Sequence, residues 1–579
     1  MTRRDCLALL GAAPLPSLWG QGMSRRSVKP MPRGKPSGLP FHAKFTDVAS
    51  AAGLRAPIVY GRVDRKDYLL ETVGCGVAFL DFDNDGWLDI FVLGGSRLDG
   101  APEGATNRLY RNNRDGTFAD VTGKAGLGRT GWASSVAVGD FNNDGFDDLF
   151  VTYWGQNALY RNNGDGTFTD ITEKAGLLEK GTKWGSGCTF VDYNGDGLLD
   201  LFVAHYMDFD LKSVPKQGEA ATCNWKGIPV PCGPRGLPPG GLNLYRNNGD
   251  GTFTNVSAAS GIAKVTGSYP MTAAAADFDS DGWPDIYVAC DSTASFLLRN
   301  NHDGTFTDIG LESGVALNED GMEQAGMGLA IGDYNLDGNL DIFKTHFADD
   351  TAILYRSDGK LNFDDVTVGS GLGVETRFTS WGAGMVDLDN DGQPDLFLVT
   401  GSIYPELEAK IPAYPFKTPR VIFRNLGGGK FEELIEQGGP GIAEPHSSRG
   451  CAFGDFDNDG DIDVVVVNLN EPPSLLRNDV TGDGHWVKVK LIGTKSNRSA
   501  IGATVVARYG GKKQAQAVLS QASFYSVNDF RLHFGLGSEP GADLEIRWPN
   551  GATERIGNVT SGQLVTVKEG SGIVKTEIW

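Results

Sequence analysis

Asp81-Phe82-Asp83-Asn84-Asp85-Gly86-Trp87-Leu88-Asp89, followed by the apolar run Ile90-Phe91-Val92, is one of seven copies of a single pattern. The others start at Asp140, Asp192, Asp277, Asp333, Asp387 and Asp455. Comparing copies within the chain separates fixed positions from free ones. Positions one, five and nine are Asp in every copy, position six is Gly, and position three is Asp or Asn. Position seven runs through Trp87, Phe146, Leu198, Trp283, Asn339, Gln393 and Asp461. This describes an oxygen cage for a hard cation: side-chain oxygens at one, three, five and nine, a backbone carbonyl at seven, and Gly at the sharp turn. Calcium fits best, because it accepts many oxygens in a flexible shell whereas magnesium keeps its waters.

The expected ligands are Asp81, Asp83, Asp85 and Asp89; Asp140, Asn142, Asp144 and Asp148; Asp192, Asn194, Asp196 and Asp200; Asp277, Asp279, Asp281 and Asp285; Asp333, Asn335, Asp337 and Asp341; Asp387, Asp389, Asp391 and Asp395; and Asp455, Asp457, Asp459 and Asp463. That is up to seven Ca²⁺, one per copy. A polar surface turn accounts for one such stretch, since Asp, Asn and Gly populate turns anyway, but not for seven in phase. An EF-hand is excluded because its loop runs twelve residues to a Glu between helices, and here β-type sequence follows a ninth-position Asp.

Each loop sits in a longer unit. Ser134-Ser135-Val136-Ala137-Val138-Gly139 precedes the second copy and Asp148-Leu149-Phe150-Val151 follows it; then come Asn157-Ala158-Leu159-Tyr160-Arg161-Asn162, a turn at Gly164-Asp165-Gly166, and Thr167-Phe168-Thr169-Asp170-Ile171. These read as four short strands joined by tight turns. Loop starts are 59, 52, 85, 56, 54 and 68 residues apart. A four-stranded unit recurring at that spacing predicts an all-β, seven-bladed β-propeller. The first three strands occur seven times but the fourth follows only six times, at Phe118, Phe168, Phe253, Phe306, Phe363 and Phe431. The missing one stands at the start, as Phe45-Thr46-Asp47-Val48, so the N-terminal strand is expected to complete blade seven and hide two open edges.

The formal charge of −21 argues against nucleic-acid binding, which needs a basic stripe. Twenty-five of the carboxylates lie in the seven cages, so much of the acidity is ligand. Arg3-Arg4 ahead of a weakly apolar run to about Trp19 resembles a twin-arginine export signal over residues 1–22, too short and too broken by Pro14 and Pro16 to span a membrane. Residues 23–40 read as a flexible linker. In an exported protein, Cys223 and Cys232 are expected to form a local disulfide, whereas Cys75, Cys188, Cys290 and Cys451 lie in apolar runs and read as buried thiols.

Inserted segments at 94–106, 205–241 and 400–420 are expected on the face opposite the Asp loops, where they either bind a ligand, as loops on a rigid scaffold often do, or cap the channel. Trp132, Trp184, Tyr269, Trp381, Glu71, Glu323 and His446 stand just before the inner strands. With Trp225 and Tyr404 of the inserts they form either a ligand-gripping rim for a sugar or basic peptide, or wedge packing between blades. After Asn478 the pattern changes, and residues 485–570 read as a small β-sandwich.

The Asp loops, with the Leu-Tyr-Arg-Asn and Asp-Gly-Thr-Phe segments, resemble the calcium-binding FG-GAP (VCBS) blades of integrin α-subunits and bacterial secreted proteins, over about residues 41–480. Ser496-Asn497-Arg498-Ser499-Ala500-Ile501-Gly502-Ala503, Leu532-His533-Phe534-Gly535-Leu536-Gly537 and Arg547-Trp548-Pro549-Asn550-Gly551 resemble the ASPIC/UnbV domain. In order and spacing the chain is similar to the cartilage acidic protein family. That resemblance implies an extracellular, calcium-loaded protein and carries no settled activity.

No HExxH, GxSxG, P-loop or dinucleotide fingerprint is present. The reading is therefore an exported, monomeric calcium-binding module for an extracellular glycan or protein. The competing reading is a polysaccharide lyase or hydrolase whose site, around His205, His346 or His446, lies opposite the calcium loops.

Overall fold

The computed structural model describes residues 28–578. Seven antiparallel four-stranded units follow one another along the chain. The first uses Val77–Leu80, Asp89–Val92, Arg108–Asn112 and Phe118–Asp120, in sequence order from the axis outwards. The second and third are fused into one sheet where Lys183 and Trp184 pair with Gly155 and Trp154. The seventh is completed from the other end of the chain. Phe45–Asp47 pairs antiparallel with Ser474–Asn478, in the register Phe45 to Asn478 and Asp47 to Leu476. The innermost strands stand side by side, and Ser448–Gly454 returns to Val77–Leu80, so the ring closes. Small residues line the axis for a steric reason. A Cβ on Gly328 would lie 2.0 Å from the Trp381 carbonyl oxygen, and one on Gly76 1.8 Å from that of Tyr525.

Two repeated contacts seal the seams between blades. The aromatic at loop position two packs on the Phe that opens the fourth strand of the next blade, as in Phe82–Phe168, Phe141–Phe253, Tyr193–Phe306 and Tyr334–Phe431. The Asn ending the third strand clamps two blades at once. Asn162 Nδ2 donates to the Asp147 carbonyl of its own loop and to the Phe82 carbonyl of the preceding blade, at 3.2 and 2.8 Å. Asn112, Asn247, Asn300, Asn425 and Asn478 make the same bond to Phe456, Phe141, Tyr193, Tyr334 and Leu388. Blade five carries Ser357 at this position and its side chain is too short to reach across.

Residues 485–578 form two packed four-stranded sheets. One runs Leu532–Gly537, His485–Ile492, Gln563–Lys568, Gly572–Ile578, with a parallel central pair. The other runs Lys512–Ala517, Thr504–Tyr509, Gly541–Arg547, Thr553–Thr560. Their core of Val487, Val505, Phe534, Ile546, Trp548 and Val565 is continuous with Phe141 and Leu199 of blades two and three. The sandwich therefore sits on the Asp-loop face of the propeller. From it, residues 518–529 descend into the central channel.

Residues 28–40 differ from the flexible linker expected. They lack regular secondary structure but run along blades five and six. Val28 N bonds Asp349 O, Met31 N bonds Gly373 O, Arg33 pairs with Glu433 and Glu375, and Arg424 Nη1 donates to the carbonyls of Leu39 and Pro40. The export signal expected at residues 1–22 lies outside the described residues.

Candidate metal centre

Each Asp loop is wound by its own backbone. The position-one carboxylate accepts the position-five amide on Oδ1 and the position-six amide on Oδ2, at 2.8 and 3.1 Å for Asp81 and 3.1 and 2.9 Å for Asp455. Position five accepts the amide of position seven, as Asp85 does from Trp87 at 3.0 Å. Position nine ties the loop to the third strand: Asp89 Oδ1 accepts from Asn112 N, Asp285 Oδ1 from Asn300 N and Asp463 Oδ1 from Asn478 N, at 2.8 to 2.9 Å. Gly at position six has positive φ in every copy, from 82° at Gly392 to 101° at Gly460. Position four is left-handed as well, with Asn84, Asn143, Ser280, Leu336, Asn390 and Asn458 near +60°. After Gly, which stands there in the third copy as Gly195, Asn tolerates that region best, which explains its frequency there. Asn84, Asn143 and Asn458 also reach the position-six carbonyl of the next loop, at Gly145, Gly197 and Gly86.

These bonds leave carboxylate oxygens converging on one point. In blades one, four, six and seven, the sets Asp81/Asp83/Asp85, Asp277/Asp279/Asp281, Asp387/Asp389/Asp395 and Asp455/Asp457/Asp463 each place one oxygen apiece within 4.8 Å of one another. Blades two, three and five carry Asn142, Asn194 and Asn335 at position three. Asp83, Asp389 and Asp457 Oδ1, and Asp200 and Asp285 Oδ2, are buried without a hydrogen-bond donor. An unsatisfied buried carboxylate oxygen is costly, and a divalent cation is the partner that several such oxygens at one point fit.

The electrostatics agree. Burial, reinforced by the other loop carboxylates, pushes Asp89 and Asp148 up to about 9. Asp200, Asp285, Asp341, Asp395 and Asp463 are held well above the usual carboxylate range for the same reason. At position one, burial raises Asp140 and Asp333 to about 7 and Asp192 and Asp277 to about 6.

The aromatic positions do not form an open rim. Trp132, Trp184, Tyr269, Trp381, Trp225 and Tyr404 are all buried. Trp184 packs edge-on against Tyr206 and Phe209, and Trp225 against Phe347 and Tyr414. Trp381 packs edge-on against Phe524 of the descending segment, with the Arg449 guanidinium 4.2 Å over its ring. The inserts fold across the mouth of the channel, and of the two readings of these aromatics it is packing that holds. Within the 205–241 insert, Cys223 and Cys232 are joined by a disulfide. His205 is buried against Glu179 at 2.8 Å, His346 is buried, and His446 lies 3.3 Å from Glu471. Glu71 is buried and accepts the amides of Arg62, Asp67 and Tyr68, while Glu323 pairs with Arg235 at 2.6 Å. His205 and His446 therefore stand in separate ion pairs, with Glu179 and Glu471. Sequence reasoning missed the third-strand Asn clamp, although its recurrence in six units was a visible signal.

The FG-GAP-like repeat family matches residues 81–151, 140–203, 236–288, 277–344 and 418–466, and the ASPIC and UnbV family matches 493–574. Cartilage acidic protein 1 of Homo sapiens is 28% identical over 54% of this chain and 46% of its own length. The Mus musculus protein is 26% identical over 82% of this chain and 70% of its own, and that of Xenopus tropicalis 26% identical over 63% and 52%. The chain thus spans about half the length of the human and Xenopus relatives. Among solved structures it is similar to the BBS1N chain of a complex with ARL6DN (TM-score 0.40, 10% identity, 76% of this chain and 98% of that one). YCF48 bound to D1 peptide gives 0.37 at 8% identity, over 74% and 99%. With scores this low the fold assignment rests on the strand order above. The described helices include none long and apolar enough to cross a membrane. Loop, strand order and C-terminal sandwich together place this chain among the FG-GAP-repeat proteins with an ASPIC/UnbV domain, homologous to cartilage acidic protein 1.

Proposed function

We propose that the protein is an exported calcium-loaded β-propeller that acts as a binding module for an extracellular glycan or protein. The observation that carries the calcium assignment is the set of buried, donorless carboxylate oxygens converging in the Asp loops. Seven Ca²⁺ would bring the formal charge from −21 to about −7, ordinary for a soluble chain. Export by the twin-arginine route fits the paired arginines at residues 3–4, the Cys223–Cys232 disulfide and a calcium-rich destination. The propeller supplies rigidity and the 94–106, 205–241 and 400–420 inserts supply a variable face, the division of labour of a binding scaffold. Because the channel is capped on one side and filled from the other, ligand recognition belongs to the outer surface of the inserts. The test is a glycan and extracellular-protein array read in Ca²⁺ and in EGTA, beside a polysaccharide digestion panel. Calcium-dependent retention without product release is expected; product release from any polysaccharide would overturn it.

A further inference from the structure

The innermost strands turn backbone groups toward the axis, and residues 518–529 supply their partners. Gln521 Oε1 accepts the amides of Cys188 and Ala273, both at 3.2 Å, and its Nε2 donates to Ser135 Oγ and to the Val136 carbonyl. Ser520 Oγ accepts Phe190 N, Ser523 O accepts Leu329 N, and Ser523 Oγ accepts Ala383 N. Val527 exchanges both its backbone bonds with Val77 and Phe79, and Asn528 Oδ1 accepts Phe453 N. One segment thus bonds all seven blades. It can leave the channel only with the sandwich that carries it.

That sandwich rests on the position-one carboxylates. Lys488, 0% exposed like its partner, donates to Asp455 Oδ2. Ala515 N donates to Asp333 Oδ2 at 3.1 Å, and Lys490 and Arg498 lie 4.0 Å from Asp81 Oδ2 and Asp140 Oδ2. Gly535 passes so close to Asp387 Oδ2 that a Cβ there would lie 1.8 Å from it. The same carboxylate that frames a cage is therefore also a docking point. Emptying the cages sets clustered carboxylates against one another, and relief requires them to move apart.

We propose that cation loading and sandwich docking are one linked equilibrium, in which the loops hold residues 518–529 in the channel only while the cages are filled. This rests on the calcium reading above. The two fail separately: absence of bound cation refutes the calcium reading, whereas bound cation with an immovable channel segment refutes only the linkage. The experiment is hydrogen exchange on the full chain in Ca²⁺ and in EGTA. In EGTA the amides of Val527 and Asp529, which bond Val77 O and Phe453 O of blades one and seven, should exchange at least about tenfold faster, while those of His485–Ile492 and Gln563–Lys568 keep their protection. Unchanged exchange in 518–529 while the Asp loops open would overturn the proposal, as would uniform loss of protection across sandwich and blades. In Ca²⁺, Lys488→Met should raise exchange in 518–529; protection equal to the parent would count against the linkage.

Discussion

A single side chain at position nine does two jobs. Asp285 Oδ1 anchors the third strand through Asn300 N while its Oδ2, buried and without a donor, faces the cage. Asp285→Asn keeps the first contact and weakens the second. Calorimetric titration should then show one cation fewer than the parent, with stability in Ca²⁺ lower by about 1–3 kcal/mol. The third-strand Asn clamp gives a second test. Asn300→Ala removes three side-chain bonds, those to the Tyr193 and Pro284 carbonyls at a buried seam and the one accepted from His302 N, so urea unfolding should show a loss of about 1–3 kcal/mol. Ser357→Asn in blade five builds the missing clamp toward the Phe278 carbonyl and should gain about 1 kcal/mol. A loss there would show that this seam closes by another geometry.

At the scale of elements, the strand Phe45–Asp47 closes blade seven, and Phe45 packs edge-on against Phe397 of blade six. Deleting residues 41–50 should lower the melting temperature sharply, because both edges it covers become open. That closure was legible in the sequence because repetition supplies its own comparison: six downstream fourth strands opening on Phe, two of them reading Phe-Thr-Asp, made the seventh, at Phe45, conspicuous. The Asp clusters of blades one, four, six and seven were legible for the same reason. The 518–529 segment was not, since Ser520-Gln521-Ala522-Ser523 occurs once and carries neither a strand nor a helix period. Its partners are backbone groups of distant blades, which no local pattern reveals. The aromatics were left between two readings, rim and packing. Trp184 and Trp381 could be placed just before inner strands, but whether they faced solvent depended on the unique inserts around Phe209 and Tyr404 and on Phe524 of the channel segment.

For the whole molecule, the seven acidic loops make stability depend on pH in opposite senses with and without cation. In the cation-free fold Asp89 and Asp148 titrate at about 9, above the unfolded carboxylate value of about 3.9. Between those values the folded state binds more protons than the unfolded, so stability falls as pH rises through that window. In EGTA the melting temperature should therefore be higher at pH 5 than at pH 8. In Ca²⁺ the order should reverse, because protons compete with the cation for the same oxygens. The most direct measurement of the central claim is elemental analysis of the purified protein paired with a melting curve in Ca²⁺ and in EGTA at pH 8. The account predicts several equivalents of calcium and a large drop in melting temperature on chelation, each filled site adding about 2.7 kcal/mol at a hundredfold excess over its dissociation constant. Protein free of divalent ions, melting at the same temperature in both buffers, would contradict it.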